Sequence, residues 1–225
     1  MSKSKLNYLA LILVLSITFL LISDATAAKI VLIFGIPVSI SVLYFPVTYV
    51  LSDIITEVYG YDTARRILWM SVLCSILAGC VYQLAAYYPP AFPSPTGTDA
   101  YHQVFSVVPR IMFAGWIAVF WGDITNNYII AKMKIWTKGQ YFWMRAIAST
   151  AGGQLINTVL FVLLGLYGTV PNEAVFNMIL FGWLFKVAVE AILLPFTTLV
   201  VDYLKKAEGQ DVYDTETKFN PFLFK

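Results

Sequence analysis

Several polar side chains stand where an apolar chain should not hold them. Lys186 and Glu190 are four residues apart inside the apolar stretch 175–201, so on a helix they share a face. Asp123 lies within the stretch 107–131, three and four residues before Asn126 and Asn127. Gln154 precedes Asn157 by three residues in the stretch 142–166. Asp53 and Glu57 follow Tyr49 on the polar side of residues 46–59, whose other side is Val47, Val50, Leu51, Ile54, Ile55 and Val58. Carboxylates accept paired N–H donors, side-chain amides read donor–acceptor patterns, and an ammonium donates to a carbonyl. Together they suit a polar, hydrogen-bonding solute that is neutral or cationic. Tyr49, Asp53, Glu57, Asp123, Asn126, Asn127, Gln154, Asn157, Lys186 and Glu190 are therefore the candidate binding residues. There are plainer alternatives. Helix 46–59 could show its polar face to water, and Lys186 could simply pair with Glu190.

The sequence contains no G-x-x-x-x-G-K-[ST], H-E-x-x-H or G-x-S-x-G motif. Asp53 and Asp123 do not make a proteolytic pair, because one sits near the end of its stretch and the other near the middle. No enzyme, ATPase motor, cofactor or metal site is expected. His102 has no second ligand nearby, and Cys74 and Cys80, six residues apart, point to different helix faces and read as packing residues.

The elements that must position these residues are membrane helices. Apolar residues make up 59% of the 225 and charged residues only 12%, against roughly half and a quarter in soluble domains. Six stretches are about as long as the ~20 residues a bilayer core requires: 6–22, 30–58, 67–88, 107–131, 142–166 and 175–201. The expected fold is an all-α, polytopic bundle of six transmembrane helices over 1–204, with a polar tail over 205–225. The first stretch reads as a signal anchor, with a cleaved signal peptide as the alternative. Pro37 and Pro46 imply a second helix broken near Pro46. Residues 89–97, with Pro89, Pro90, Pro93, Pro95 and Gly97, form a loop.

Charge orients the bundle. Of the 15 Lys and Arg, twelve fall at the two termini and in the 2–3 and 4–5 connections; Lys29 and Arg110 fall on the other side, and Lys186 is within a span. By the positive-inside rule both termini are cytoplasmic. At about 1.5 Å per residue, Asp123, Gln154, Asn157, Lys186 and Glu190 all come near the bilayer midplane. Three charges there oppose insertion by about 7–10 kcal/mol before any pairing, so they must face one another or a wet cavity.

The segments Gly122-Asp123-Ile124-Thr125-Asn126-Asn127 and Gly153-Gln154-Leu155-Ile156-Asn157-Thr158 share a pattern, which suggests paired faces of one pocket. Residues 148–153 are small and suit close helix packing. Trp116, Trp121 and Trp183 lie too deep for an interfacial belt and are candidates to stack on a planar ligand.

Phe45-Pro46, then Ser52-Asp53-Ile54-Ile55-Thr56-Glu57-Val58-Tyr59-Gly60, then Ala64-Arg65-Arg66 resembles the signature of the queuosine precursor transporter family, also described as a vitamin uptake transporter family. The resemblance continues at Arg110, 122–127, 148–158 and 185–195, and so covers about residues 40–200. It implies a six-helix bundle importing a 7-deazaguanine: the cyano or aminomethyl compound, or the base queuine. Such a base offers N1–H and a 2-amino group to a carboxylate and a 6-oxo acceptor to an amide or Lys. Asp53, Lys186 and Glu190 match the family pattern. The fourth and fifth spans depart from its Gln followed three residues later by Asp, having Asp123/Asn126 and Gln154/Asn157, so which carboxylate reads the base stays open. Two other functions remain alternatives: a substrate-capturing subunit that needs a separate ATP-driven partner, and a carrier of another purine-like or vitamin-like heterocycle. The expected partners are the small-molecule base and the lipid bilayer, with no nucleic acid; a homodimer is among the assemblies open to it.

Overall fold

The computed structural model describes residues 8–88, 102, 104, 105 and 108–223. Among them are six α-helices: α1 (Tyr8–Thr26), α2 (Pro46–Tyr59), α3 (Tyr61–Tyr87), α4 (Val108–Trp136), α5 (Phe142–Phe161) and α6 (Asn172–Glu208). The loop expected over 89–97 lies outside the described residues, as does the N-terminal segment before Tyr8. By length and composition α1, α3, α6 and α5 with its π-helical extension (Val162–Leu166) can each cross a membrane. The chain is thus an all-α, multi-pass membrane protein with four such helices among the described residues. α4 has the length, but Asp123, Asn126 and Asn127 interrupt its apolar run.

The second stretch departs from the helix expected over 30–58 in the part before Pro46. Strands β1 (Ile30–Ile33) and β2 (Ile36–Ser39) pair antiparallel, with Ile30 opposite Ser39 and Ile33 opposite Ile36. Phe34 and Gly35 make the two-residue turn, with φ of 51° and 78°, the positive values such hairpins require. Ile, Val and Leu suit either helix or strand, and Phe-Gly lacks the Asn-Gly or Asp-Gly signal that would separate the two. A short 3₁₀ turn (Ile40–Leu43) follows, with Ser39 accepting from the Ser41 N–H. α2 then begins at Pro46, as its position at the first helical turn predicts.

α2 is the hub. Its 14 residues span about 21 Å, short of the ~30 Å bilayer core, and every one except Val47 is buried. A helix buried all round lies inside a bundle, so its polar face is not turned to bulk water. Its apolar residues pack with Ile12 of α1, Ile67 of α3, and Val201 and Leu204 of α6. Gly60, with φ of 84°, turns the chain straight into α3.

The polar tail folds back instead of trailing. The Asp214 carboxylate accepts from the Tyr61 N–H at 3.0 and 3.2 Å, capping α3. Arg65 donates to the carbonyls of Lys218 and Asn220, and Trp69 to that of Pro221. Phe219 packs on Tyr61 and Tyr128, and Phe222 on Trp69 and Phe120.

Candidate functional site

Helices α4 and α5 bring the two similar segments into register. A Cβ on Gly122 would stand 3.0 Å from the Gly153 carbonyl oxygen and 2.8 Å from the Asn157 Cβ. A Cβ on Gly153 would stand 2.7 Å from the Gly122 carbonyl oxygen and 2.8 Å from the Asn126 Cβ. The contacts are reciprocal, so a local two-fold relates Gly122 to Gly153 and Asn126 to Asn157. Each asparagine then serves a different helix. Asn126 donates from Nδ2 to Asp53 Oδ1 at 2.6 Å. Asn157 accepts at Oδ1 from Lys186 Nζ at 2.9 Å.

Around this crossing the polar face of α2 meets α6. Asn127 Oδ1 accepts from Ser52 and Thr56 at 2.8 and 2.9 Å. Glu190 accepts from the Thr150 hydroxyl and lies beside the Asp53 carboxylate. Lys186 also donates to Thr158 Oγ1 at 3.2 Å and lies 4.7 Å over the Phe45 ring. Lys186 and Glu190 therefore do not pair with each other; each bonds to α5. The Tyr49 hydroxyl reaches toward the Gly153 carbonyl, at 3.4 Å, and toward Asp123.

Asp123 looks elsewhere. It lines a cavity between α1, α2, α3 and α4 with Ser16, Thr48, Ser52 and Ser71, and Lys186 does not line it. Glu57 belongs to another cluster, at the tail end of the bundle. Its Oε1 accepts from Arg145 at 2.8 Å and Lys205 at 2.6 Å, with Lys134 Nζ 3.6 Å away. Lys134 donates to the Glu57 carbonyl and to Asp211. Burial would raise the Asp211 pKa, but hydrogen bonds from Lys134 and Lys205 outweigh it and hold the carboxyl below its ordinary value. Glu57 thus ties α2, α4, α5 and α6 together, while Asp53, one turn away, faces Glu190.

Several buried polar atoms here have no hydrogen-bond partner among the described residues: Asp53 Oδ2, Glu190 Oε2, both amide atoms of Gln154, Asn126 Oδ1, Asn127 Nδ2 and Asp123 Oδ1. Gln154 is fully buried, one turn from Thr150 on one side and from Thr158 on the other. It therefore sits between the Glu190 and Lys186 contacts. Buried polar groups nearly always find a partner, so this concentration marks a place where a ligand or water completes the bonding.

Sequence reasoning missed Thr150 and Thr158 as partners of the site, and it passed over Asp24, a buried carboxylate near the end of α1. The first two are common helix residues and carried no signal. Asp24 did carry one, a charge at the end of an apolar stretch, but the run 6–22 stops two residues short of it. Of the deep tryptophans, Trp183 donates to the Ala151 carbonyl and Trp116 to Ser75; Trp121 is partly exposed beside Phe120. None stands over the Asp53–Glu190 pair.

Residues 39–200 match the family model described as "Putative vitamin uptake transporter". The "Probable queuosine precursor transporter" of Bacillus subtilis (strain 168) is 24% identical over 175 residues, covering 77% of this chain and 76% of that protein. No solved structure matches the chain. The chain belongs to the vitamin uptake transporter family, and it is a membrane transporter, not an enzyme.

Proposed function

We propose that this transporter imports a queuosine precursor of the 7-deazaguanine type across the inner membrane, through a six-span domain over 1–204 with both termini cytoplasmic. One observation supports this reading above the rest. Asp53 Oδ2, Glu190 Oε2 and the whole Gln154 amide are buried on neighbouring faces of α2, α5 and α6, with no hydrogen-bond partner among the described residues. A flat base with adjacent N–H donors satisfies carboxylate oxygens, and the same base offers ring and carbonyl acceptors to an amide and an ammonium. The name of the Bacillus relative points to the same substrate class.

In this reading Asp53, Glu190, Gln154, Asn157 and Lys186 contact the base. Asn126, Asn127 and Tyr49 aim those groups, and Asp123 faces the neighbouring cavity. A base that enters must replace water on every polar atom it covers. Binding then costs little where the protein groups are already oriented by Asn126, Thr150 and Asn157, which is preorganisation.

Uptake of labelled 7-cyano-7-deazaguanine by cells lacking their own importer tests the proposal. Hydrogen bonds to charged groups are worth about 1.5–3 kcal/mol, about 10- to 100-fold in affinity. Asp53→Asn, Glu190→Gln and Lys186→Met should each lower uptake at least tenfold at equal protein in the membrane. Normal uptake by all three would show that the base binds elsewhere. Transport by the purified protein in liposomes separates a self-sufficient carrier from a capture subunit that needs an ATP-driven partner.

A further inference from the structure

Beyond the Asp53–Glu190 pair, a further buried carboxylate, Asp24, shares a cavity with Lys186. Asp24 ends α1 on the hairpin side of the bundle and is buried. Its Oδ2 accepts from the Ser75 hydroxyl on α3, and Ser75 Oγ in turn accepts from Trp116 Nε1 on α4 at 2.7 Å. Among the described residues no Lys or Arg pairs with it. Gly115 leaves the other oxygen open, since a Cβ there would stand 3.5 Å from Oδ1.

Asp24 and Lys186 line one cavity, together with Ser23, Phe45, Asn157 and Gly115. The Ser23 hydroxyl in this cavity is buried and has no protein partner. A neighbouring cavity under β2, lined by Ser39, Ser41, Thr158 and Gly182, also reaches Lys186. Both cavities thus meet Lys186, and the first sets the Asp24 carboxylate on one wall and the Lys186 ammonium on another. A carboxylate fixed through Oδ2 by a three-residue relay, in a span where an unpaired charge is expensive, has the features of a reading group.

We propose that Asp24 is a specificity-determining residue that recognises the donor edge of the base. Its carboxylate accepts from N1–H and one hydrogen of the 2-amino group, which leaves the five-membered-ring N–H and the second 2-amino hydrogen to the Asp53–Glu190 pair. Lys186 takes the lone pair of the 6-oxo group that points away from N1, and the Phe45 ring lies alongside. Ser75 and Trp116 are positioning residues, acting through the carboxylate. This inference rests on the deazaguanine reading above and adds to it the residue that distinguishes a 2-amino base from one without it.

Binding of two ligands to the purified full chain in detergent tests it: 7-cyano-7-deazaguanine and the same compound lacking the 2-amino group. The wild type should bind the 2-amino compound at least tenfold more tightly. Asp24→Asn, which puts an amide donor in place of one acceptor oxygen, should narrow that preference to within about threefold, mostly by weakening the 2-amino compound. An unchanged preference in Asp24→Asn, or equal affinities in the wild type, would overturn the assignment while leaving the deazaguanine reading intact. Failure of the wild type to bind either compound would overturn that reading and this inference with it. Ser75→Ala gives an independent measurement should Asp24→Asn not fold. It removes the bond that orients Oδ2 and should reduce the preference three- to tenfold; no reduction counts against the proposal.

Discussion

Asp53 and Glu57 stand one turn apart on α2, yet their surroundings give them opposite tasks. Glu57 is fully buried and meets Arg145, Lys205 and Lys134, so its charge is compensated by cations. Asp53 meets an asparagine and a second carboxylate, so its free oxygen is left for something else. Removing one partner of a buried ion cluster typically costs about 3–5 kcal/mol, because the others remain buried and unpaired. Glu57→Gln should therefore lower the melting temperature sharply in a detergent thermal-unfolding assay. Asp53→Asn should leave the melting temperature within a few degrees while lowering uptake at least tenfold. If the two variants lose stability equally, the division of labour drawn here is wrong.

The α4–α5 crossing and the returning tail carry the arrangement at the level of elements. Gly122 and Gly153 let two backbones touch, which brings Asn126 and Asn157 to α2 and α6 respectively. A methyl at Gly122 has no room against the Gly153 carbonyl and the Asn157 Cβ. Overpacking of this kind costs about 1–3 kcal/mol, so Gly122→Ala should lower thermal stability and weaken ligand binding together, since both depend on the crossing. The tail is held by Asp214, which caps α3, and by Asp211, which bridges Lys134 and Lys205. Loss of a helix cap costs about 0.5–2 kcal/mol, the decrease expected for Asp214→Ala. Asp211 has a folded-state pKa below its unfolded value near 3.9. Its contribution is thus present above about pH 4 and disappears as pH falls through the folded-state value. The stability gap between wild type and Asp211→Asn should be constant from about pH 5 to 8 and close in more acid solution, read by thermal unfolding across that range.

The whole molecule has two unlike ends. At one, the hairpin exposes Leu32 and Phe34, with Asp24 and Lys186 beneath it. At the other, the tail and the Glu57 cluster cover the ends of α2, α4, α5 and α6. In the orientation proposed above the second end is cytoplasmic and the hairpin end is the side of substrate entry. Leu32→Cys, in a chain with Cys74 and Cys80 replaced, should react with a membrane-impermeant maleimide in intact cells. Thr215→Cys should react only after the cells are permeabilised. The reverse pattern would invert the orientation.

Composition alone determined that this chain lives in a membrane, because an apolar content of 59% leaves a soluble fold too little polar surface. Helical periodicity and depth singled out Lys186, Glu190, Asp123 and the Gly-x-x-x-Asn pairs, since a polar group in a bilayer is conspicuous wherever it lies along the chain. The hairpin was not legible, because apolar β-branched residues fit helix and strand alike and the turn carries an unusual residue. Partner choice was not legible either. Spacing paired Lys186 with Glu190 and grouped Glu57 with Asp53, whereas contacts between helices distant in sequence gave Lys186 to Asn157, Glu190 to Thr150 and Asp53, and Glu57 to Arg145 and Lys205. The physical reason is that a one-dimensional pattern fixes which face of a helix is polar, while the neighbour that face meets depends on how close two backbones can come. Here two glycines, 31 positions apart, decide it.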